Sequence, residues 1–228
     1  MKKVLSTVAI GLLCTTFVYA ADTLDNNTAK LSYAMGYKTG QAMKTQSITI
    51  NTKNFTEGLQ AGYQGKQSAL SEQEMQTVLT SMQKQMVEKM QQKFAAAAEK
   101  NMKDGQDFLA KNAKMPGVIT LPSGLQYKVI TPGNGVSPTA TNTVTVNYEG
   151  KLIDGTVFDS SYKRGQPATF KVGQVIKGWQ EALQLMKPGA TWMLYIPSKL
   201  AYGPQGSMGE IGPNEALIFK VDLMSVKK

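Results

Sequence analysis

Histidine is missing from all 228 residues, and the single cysteine, Cys14, lies within the first twenty. Without an imidazole or a second thiol the chain cannot build a Ser/His/Asp triad, a Cys/His pair, an internal disulfide or the usual His/Cys zinc sites. Proline is absent up to residue 115, and all nine prolines fall in 116–228. Blocks of one charge are lacking too. Against 16 Asp and Glu stand 25 Lys and Arg, a net charge of +9, but the lysines are scattered. Beyond the first twenty residues the only adjacent basic pairs are Lys163-Arg164 and Lys227-Lys228. Nucleic acid usually selects a clustered basic stripe, so none is expected as a partner. Attraction to an anionic membrane surface stays open.

The chain opens MKKVLSTVAIGLLCTTFVYA, with a basic start, an apolar run, and Val18 and Ala20 at the −3 and −1 places of a signal-peptidase site. The apolar run is shorter than the roughly 20 residues of a spanning helix. Residues 1–20 therefore read as a secretory signal removed after Ala20. Leu13 before Cys14 argues against lipidation, which needs a small residue there. The mature chain then has no thiol and 23 basic against 16 acidic side chains. It is expected in the periplasm, with association at the outer membrane or cell surface left open.

Composition changes near residue 115. Residues 28–113 are rich in Gln, Met, Lys and Ala, whereas the proline-bearing part alternates apolar with polar residues, so helices precede strands. KLSYAMGYKTGQAMK (30–44) and TKNFTEGLQAGYQGK (52–66) each predict a short amphipathic helix. LSEQEM then supplies a capping box of Ser71 and Glu74. From there Met75, Leu79, Met82, Met86, Met90, Phe94, Ala98 and Met102 recur at helical spacing, which predicts one helix of about forty residues, roughly 60 Å long. Two short helices cannot cover so long a stripe, and Gly36 with Gly40 and Gly58 with Gly62 would let backbones approach closely. A dimer through these helices is the preferred reading; packing within one chain and an adaptable methionine surface for clients are the alternatives.

In the second part, Leu125, Tyr127 and Val129 share a face, as do Val144, Val146 and Tyr148, then Trp192, Leu194 and Ile196, then Leu217, Phe219, Val221 and Leu223. GWQEALQLM (178–186) is one short helix between them. The pattern predicts an α+β domain in which an antiparallel sheet of about five strands curls over that helix. The domains expected are a signal peptide (1–20), a helical dimerisation domain (21–70), a connecting helix (71–115) and the α+β domain (116–228). The last is rich in aromatics: Tyr148, Phe158, Phe170, Trp179, Tyr202 and Phe219. These either fill the core or wall a cavity floored by Trp179, and composition alone leaves both open.

The blocks LPSGLQYKVI, VTVNYEGKLIDGTVFDSS, PATFKVGQVIKGWQEALQLMKPG and IPSKLAYGPQG with IGPNEALIFKVDLMSV resemble the FK506-binding-protein family of peptidyl-prolyl cis-trans isomerases. The leader and the helical amino-terminal part narrow the resemblance to the macrophage infectivity potentiator type of Gram-negative bacteria. It spans essentially the whole mature chain. It implies a proline pocket lined by Tyr148, Phe158, Trp179 and Phe219, with Gln174, Val175 and Ile176 on one rim, Ile211 on the loop above, and Phe170 beside an alanine, Ala168, where small eukaryotic members carry an aromatic. The backbone N–H of Ile176 and the hydroxyl of Tyr202 would bond substrate carbonyls. Asp159 would sit at the edge with the Tyr148 hydroxyl and Arg164. Proline-containing polypeptides are the implied substrates, FK506- or rapamycin-like inhibitors are expected in the pocket, and neither cofactor nor metal is implied.

That chemistry suits a chain without histidine. Turning an X–Pro bond breaks amide resonance across a barrier near 20 kcal/mol, and no covalent bond is exchanged. The site need only bind the twisted amide better than the planar ones. Asp159 is accordingly read as a polar edge that orients Tyr148; an ion pair with Arg164 and general acid catalysis are the alternatives. The competing function class is a periplasmic holdase or peptide-binding module with incidental isomerase activity.

Overall fold

The computed structural model describes residues 24–207 and 209–227, so the expected signal peptide lies outside the described residues. The chain divides into two compact units, the second starting at Gln73.

In the first unit, helix α1 (Asn27–Thr45) is capped by Asn26, whose side chain accepts from the Ala29 N–H at 2.8 Å. Helix α2 (Thr52–Tyr63) is capped in the same way by Asn51. Neither contains a buried residue. Leu31, Tyr33, Met35, Tyr37 and Leu59 are all more than half exposed, and Tyr63 is 93% exposed. A Cβ added at Gly36, Gly40, Gly58 or Gly62 would meet nothing within 4 Å. Among the described residues, the small-residue spacing is thus not used for close packing.

Helix α3 (Glu72–Asn112) begins directly after Ser71 and runs 41 residues, as the unbroken stripe predicts. Its first half leaves Val78, Leu79, Met82, Val87, Met90 and Phe94 exposed. Its last turns are bound into the second unit. The Asn214 side chain donates to the Ala98 carbonyl at 3.2 Å and Asn101 donates to the Pro213 carbonyl at 2.9 Å. Gly105 is buried where an added Cβ would come within 3.1 Å of Ala216. Buried Asn112 donates to Gln126, which donates in turn to the Leu109 carbonyl. The compact division falls at 72/73, so all of this helix after Glu72 belongs to the second unit.

The sheet has seven antiparallel strands: β1 (Val118–Thr120), β2 (Gln126–Thr131), β3 (Thr143–Leu152), β4 (Val157–Ser160), β5 (Ala168–Lys171), β6 (Thr191–Ile196) and β7 (Leu217–Lys227). Their order is β1-β2-β6-β7-β3-β4, with β5 also paired to β3. Alternation traces only four of them, against about five expected from sequence, because β1, β4 and β5 are only three or four residues long, too short for alternation to show. One edge of β3 is shared. Glu149–Lys151 pair with β4 and Thr143–Val146 with β5, and between them the chain makes a single helical turn, α4 (Ser161–Arg164). Across the inner face lies α5 (Lys177–Leu183), over a core that includes Val144, Val146, Leu183, Met186, Leu194, Ile196, Leu217 and Val221. Gly178 lets α5 approach the sheet, since a Cβ there would fall 2.5 Å from Ile196.

A second cleft, of about 280 Å³, is bordered by Lys100, Asp104, Asp154 and Glu215. Burial, then the Asp154 charge, pushes the Glu215 carboxyl up, with Lys100 opposing and Asp104 adding to the rise. The fold thus favours neutral Glu215: the stability it confers is complete below the ordinary glutamate value, about 4.3, and is lost as pH rises through the higher folded value. Glu215→Gln is expected to raise the unfolding temperature at pH 7 and to leave it unchanged near pH 4, followed by the fluorescence of Trp179 and Trp192. An equal shift at both pH values would show that charge is not the cause.

Candidate active site

The second unit contains a cleft of about 340 Å³ lined by Tyr148, Phe158, Asp159, Phe170, Gln174, Val175, Ile176, Trp179, Tyr202 and Phe219. Ten of the eleven residues singled out from sequence thus border one cavity. Ile211 does not. It is 7% exposed and packs in the core, its carbonyl accepting from the Ser207 N–H at 2.9 Å.

The floor is Trp179, on the first turn of α5 and 4% exposed. Three rings meet it close to perpendicular: Tyr148 at 5.2 Å and 89°, Phe170 at 5.9 Å and 89°, and Phe219 at 5.3 Å and 80° between centroids and planes. Phe158 stands edge-on to Phe219 at 5.5 Å. Phe170 therefore closes the side next to Ala168. The rim is fixed by Gln180, whose side-chain amide donates to the Val175 carbonyl at 2.7 Å, while the Ile176 carbonyl accepts the first N–H groups of α5.

Gly150 explains how two of these rings fit. It pairs with Asp159 on β4 and with Phe219 on β7, and a Cβ there would lie 2.6 Å from the Phe158 ring and 2.7 Å from the Phe219 ring. A glycine inside a strand is a sequence signal of close approach, yet which rings would come near cannot be read without the pairing.

Polar atoms gather on one wall. The Tyr148 hydroxyl donates to one oxygen of Asp159, and Arg164 donates to the other. The second guanidinium nitrogen donates to the Tyr148 oxygen at 2.9 Å, and the guanidinium carbon lies 5.4 Å from the Tyr148 ring centroid. Burial, then the bond to Asp159, raises the Tyr148 pKa, partly offset by Arg164. Burial and the Asp159 charge raise that of Tyr202. Both hydroxyls are held as donors. Ser161, fully buried, was not distinguished by sequence reasoning: its hydroxyl accepts from the Tyr148 N–H at 2.8 Å and donates to Asn147 at 2.9 Å. The Ser-Ser pair after the acid was its only signal.

Comparison with known proteins fits this geometry. A family model of FKBP-type peptidyl-prolyl cis-trans isomerase matches residues 135–224, and one of the domain amino-terminal to that isomerase matches 28–129. The peptidyl-prolyl cis-trans isomerase Mip of Coxiella burnetii is 54% identical over 229 residues, covering 100% of both chains. The chain belongs to the FKBP-type peptidyl-prolyl cis-trans isomerases. The outer membrane protein MIP of Legionella longbeachae is 50% identical over 100% of this chain and 99% of its own. The crystal structure of FkpA from Escherichia coli superposes with a TM-score of 0.73 at 37% identity, covering 90% of this chain and 99% of that one.

For an FKBP-type isomerase the close approach at Gly150 should matter to both fold and turnover. Gly150→Ala is expected to cost about 1–3 kcal/mol of stability by overpacking, read by urea unfolding. It should also lower kcat/KM several-fold on a proline tetrapeptide. Wild-type turnover in this variant would show that the Phe158 and Phe219 rings have room to give way.

Proposed function

We propose that this isomerase turns X–Pro bonds of exported polypeptides by holding the twisted amide in the cleft over Trp179, with no proton or covalent bond exchanged. The observation that carries the reading is the meeting, in one cleft, of an aromatic floor and Phe walls with the polar groups of Tyr148, Asp159 and Tyr202. The planar amide is the more polar form, since resonance separates charge between oxygen and nitrogen. Apolar surroundings disfavour that form more than the twisted one. The Tyr202 hydroxyl and the Ile176 N–H would hold carbonyl oxygens out of conjugation while the pyrrolidine ring packs on the indole. A millionfold acceleration needs roughly 8 kcal/mol, at 1.36 per decade, within reach of a few oriented contacts.

Asp159 serves here as a fixed acceptor that aims Tyr148, with Arg164 completing the wall. With histidine absent and both cleft tyrosines raised above 10, kcat/KM is expected to stay level from about pH 6 to pH 9. Asp159→Leu should slow cis-to-trans conversion of a proline tetrapeptide more than it lowers the unfolding temperature. An FK506-like ligand should block the same conversion. A titrating limb inside that pH range would put general acid catalysis ahead of this reading, and a wild-type chain that does not accelerate the reaction would remove the mechanism.

The same reading makes the mature chain, residues 21–228, a homodimer through its helical part. The exposed apolar side chains of α1, α2 and the first half of α3 support it. Light scattering is expected to give the mass of two chains; a monomer would leave those side chains without an account. The leader-like first twenty residues and the envelope-linked name of one relative support export, with contact at the outer membrane.

A further inference from the structure

The wall residue Arg164 poses a mechanical problem. Its ion pair with Asp159 has side chains 43% and 41% exposed, and solvent screens such pairs so that they contribute little. Holding an arginine side chain in one geometry also costs rotamer freedom. The pair alone is too weak to hold the guanidinium against Tyr148, so something must place α4.

Two features do so. Along the shared edge of β3, the strand partners stop at Val146 on one side and Glu149 on the other, leaving Asn147 and Tyr148 between them. Ser161 fills that gap, taking the Tyr148 N–H and giving its own proton to Asn147. One residue later the chain passes to the outer face of the sheet. There the Tyr162 hydroxyl donates to Asp222, which sits on β7 opposite Asn147. The Lys220 ammonium lies 5.5 Å from the centroid of the Tyr162 ring. The other oxygen of Asp222 is buried with no hydrogen-bond partner among the described residues. Burial, then the bond to Asp222, raises the Tyr162 pKa, so the hydroxyl remains a donor throughout the working range.

We propose that Tyr162 and Asp222 form an anchor on the outer face of the sheet that, with Ser161, straddles the β3 edge and sets Arg164 against Asp159 and Tyr148. Tyr162 and Asp222 are thereby positioning residues for isomerisation, although neither lines the cleft. The inference rests on the polar wall acting in turnover, as proposed above.

The test is a double-mutant cycle in the full mature chain, with kcat and KM on a proline tetrapeptide and the unfolding temperature measured for each variant. Arg164→Ala is expected to lower kcat/KM, and Tyr162→Phe to lower it about three- to tenfold, mainly in kcat, which corresponds to roughly 0.6–1.4 kcal/mol. In the Arg164→Ala background Tyr162→Phe should add little further loss of rate. Asp222→Asn, which keeps an acceptor oxygen, should retain more activity than Asp222→Ala. A slowed Arg164→Ala enzyme beside an unchanged Tyr162→Phe enzyme overturns the anchor alone. Losses in rate that simply add, each following the unfolding temperature, also overturn it by showing a contact that serves the fold. An unchanged Arg164→Ala enzyme overturns the reading of the polar wall itself, and the anchor with it.

Discussion

The perpendicular packing of three rings against Trp179 is the constraint on which the site depends. Each edge-to-face contact contributes about 0.5–1.5 kcal/mol beyond area burial, and Tyr148, Phe170 and Phe219 come from β3, β5 and β7. The indole is thus tied to three strands at once, and its plane cannot turn without disturbing each. A floor so held is already shaped before a prolyl ring arrives. Binding then spends little free energy on rearranging the cavity, and more of it is available to distinguish twisted from planar amide.

The glycines complete this constraint from the backbone side. Gly178 brings α5 down until an added Cβ would strike Ile196, and Gly150 leaves space for Phe158 and Phe219. Both rings and helix therefore sit closer to the sheet than ordinary side chains allow. The polar groups follow from the same layout. The polar groups of Tyr148, Asp159 and Arg164 gather where β3 and β4 meet α4, while Tyr202 and Gln174 border the cleft from other segments of the chain.

Much of this was legible in the residues. Alternation over five or more positions located β2, β3, β6 and β7, and a stripe uninterrupted by proline set the length of α3. The short strands escaped because three or four residues do not establish a period, and their pairing is decided by neighbours far along the chain. The cleft was legible through resemblance rather than composition, since the same aromatics could as well have filled a core. Ile211 was placed on the loop above the cleft by resemblance alone; it is 7% exposed, packs in the core and is not among the residues bordering the cavity. Ser161 and Asp222 were hidden for another reason. Their importance lies in reaching across β3, and no spacing along the chain records which strand stands beside which.

The long helix shows how unequal its two halves are. Near its C-terminal end two asparagines, Gly105 and the Asn112–Gln126 bond tie it to the sheet with specific contacts. Earlier turns leave Leu79, Met82, Met90 and Phe94 exposed. Surface pairs such as Lys100 with Asp104 and Lys103 with Asp107 are solvent-screened and contribute little, and helical propensity alone leaves a solvated helix marginal. Burying a leucine or methionine is worth about 1.5–3 kcal/mol, several times what such pairs supply. The apolar stripe therefore outweighs the charges as a reason for these turns to persist, and that reason operates only when a second surface covers it, as the proposed dimer would.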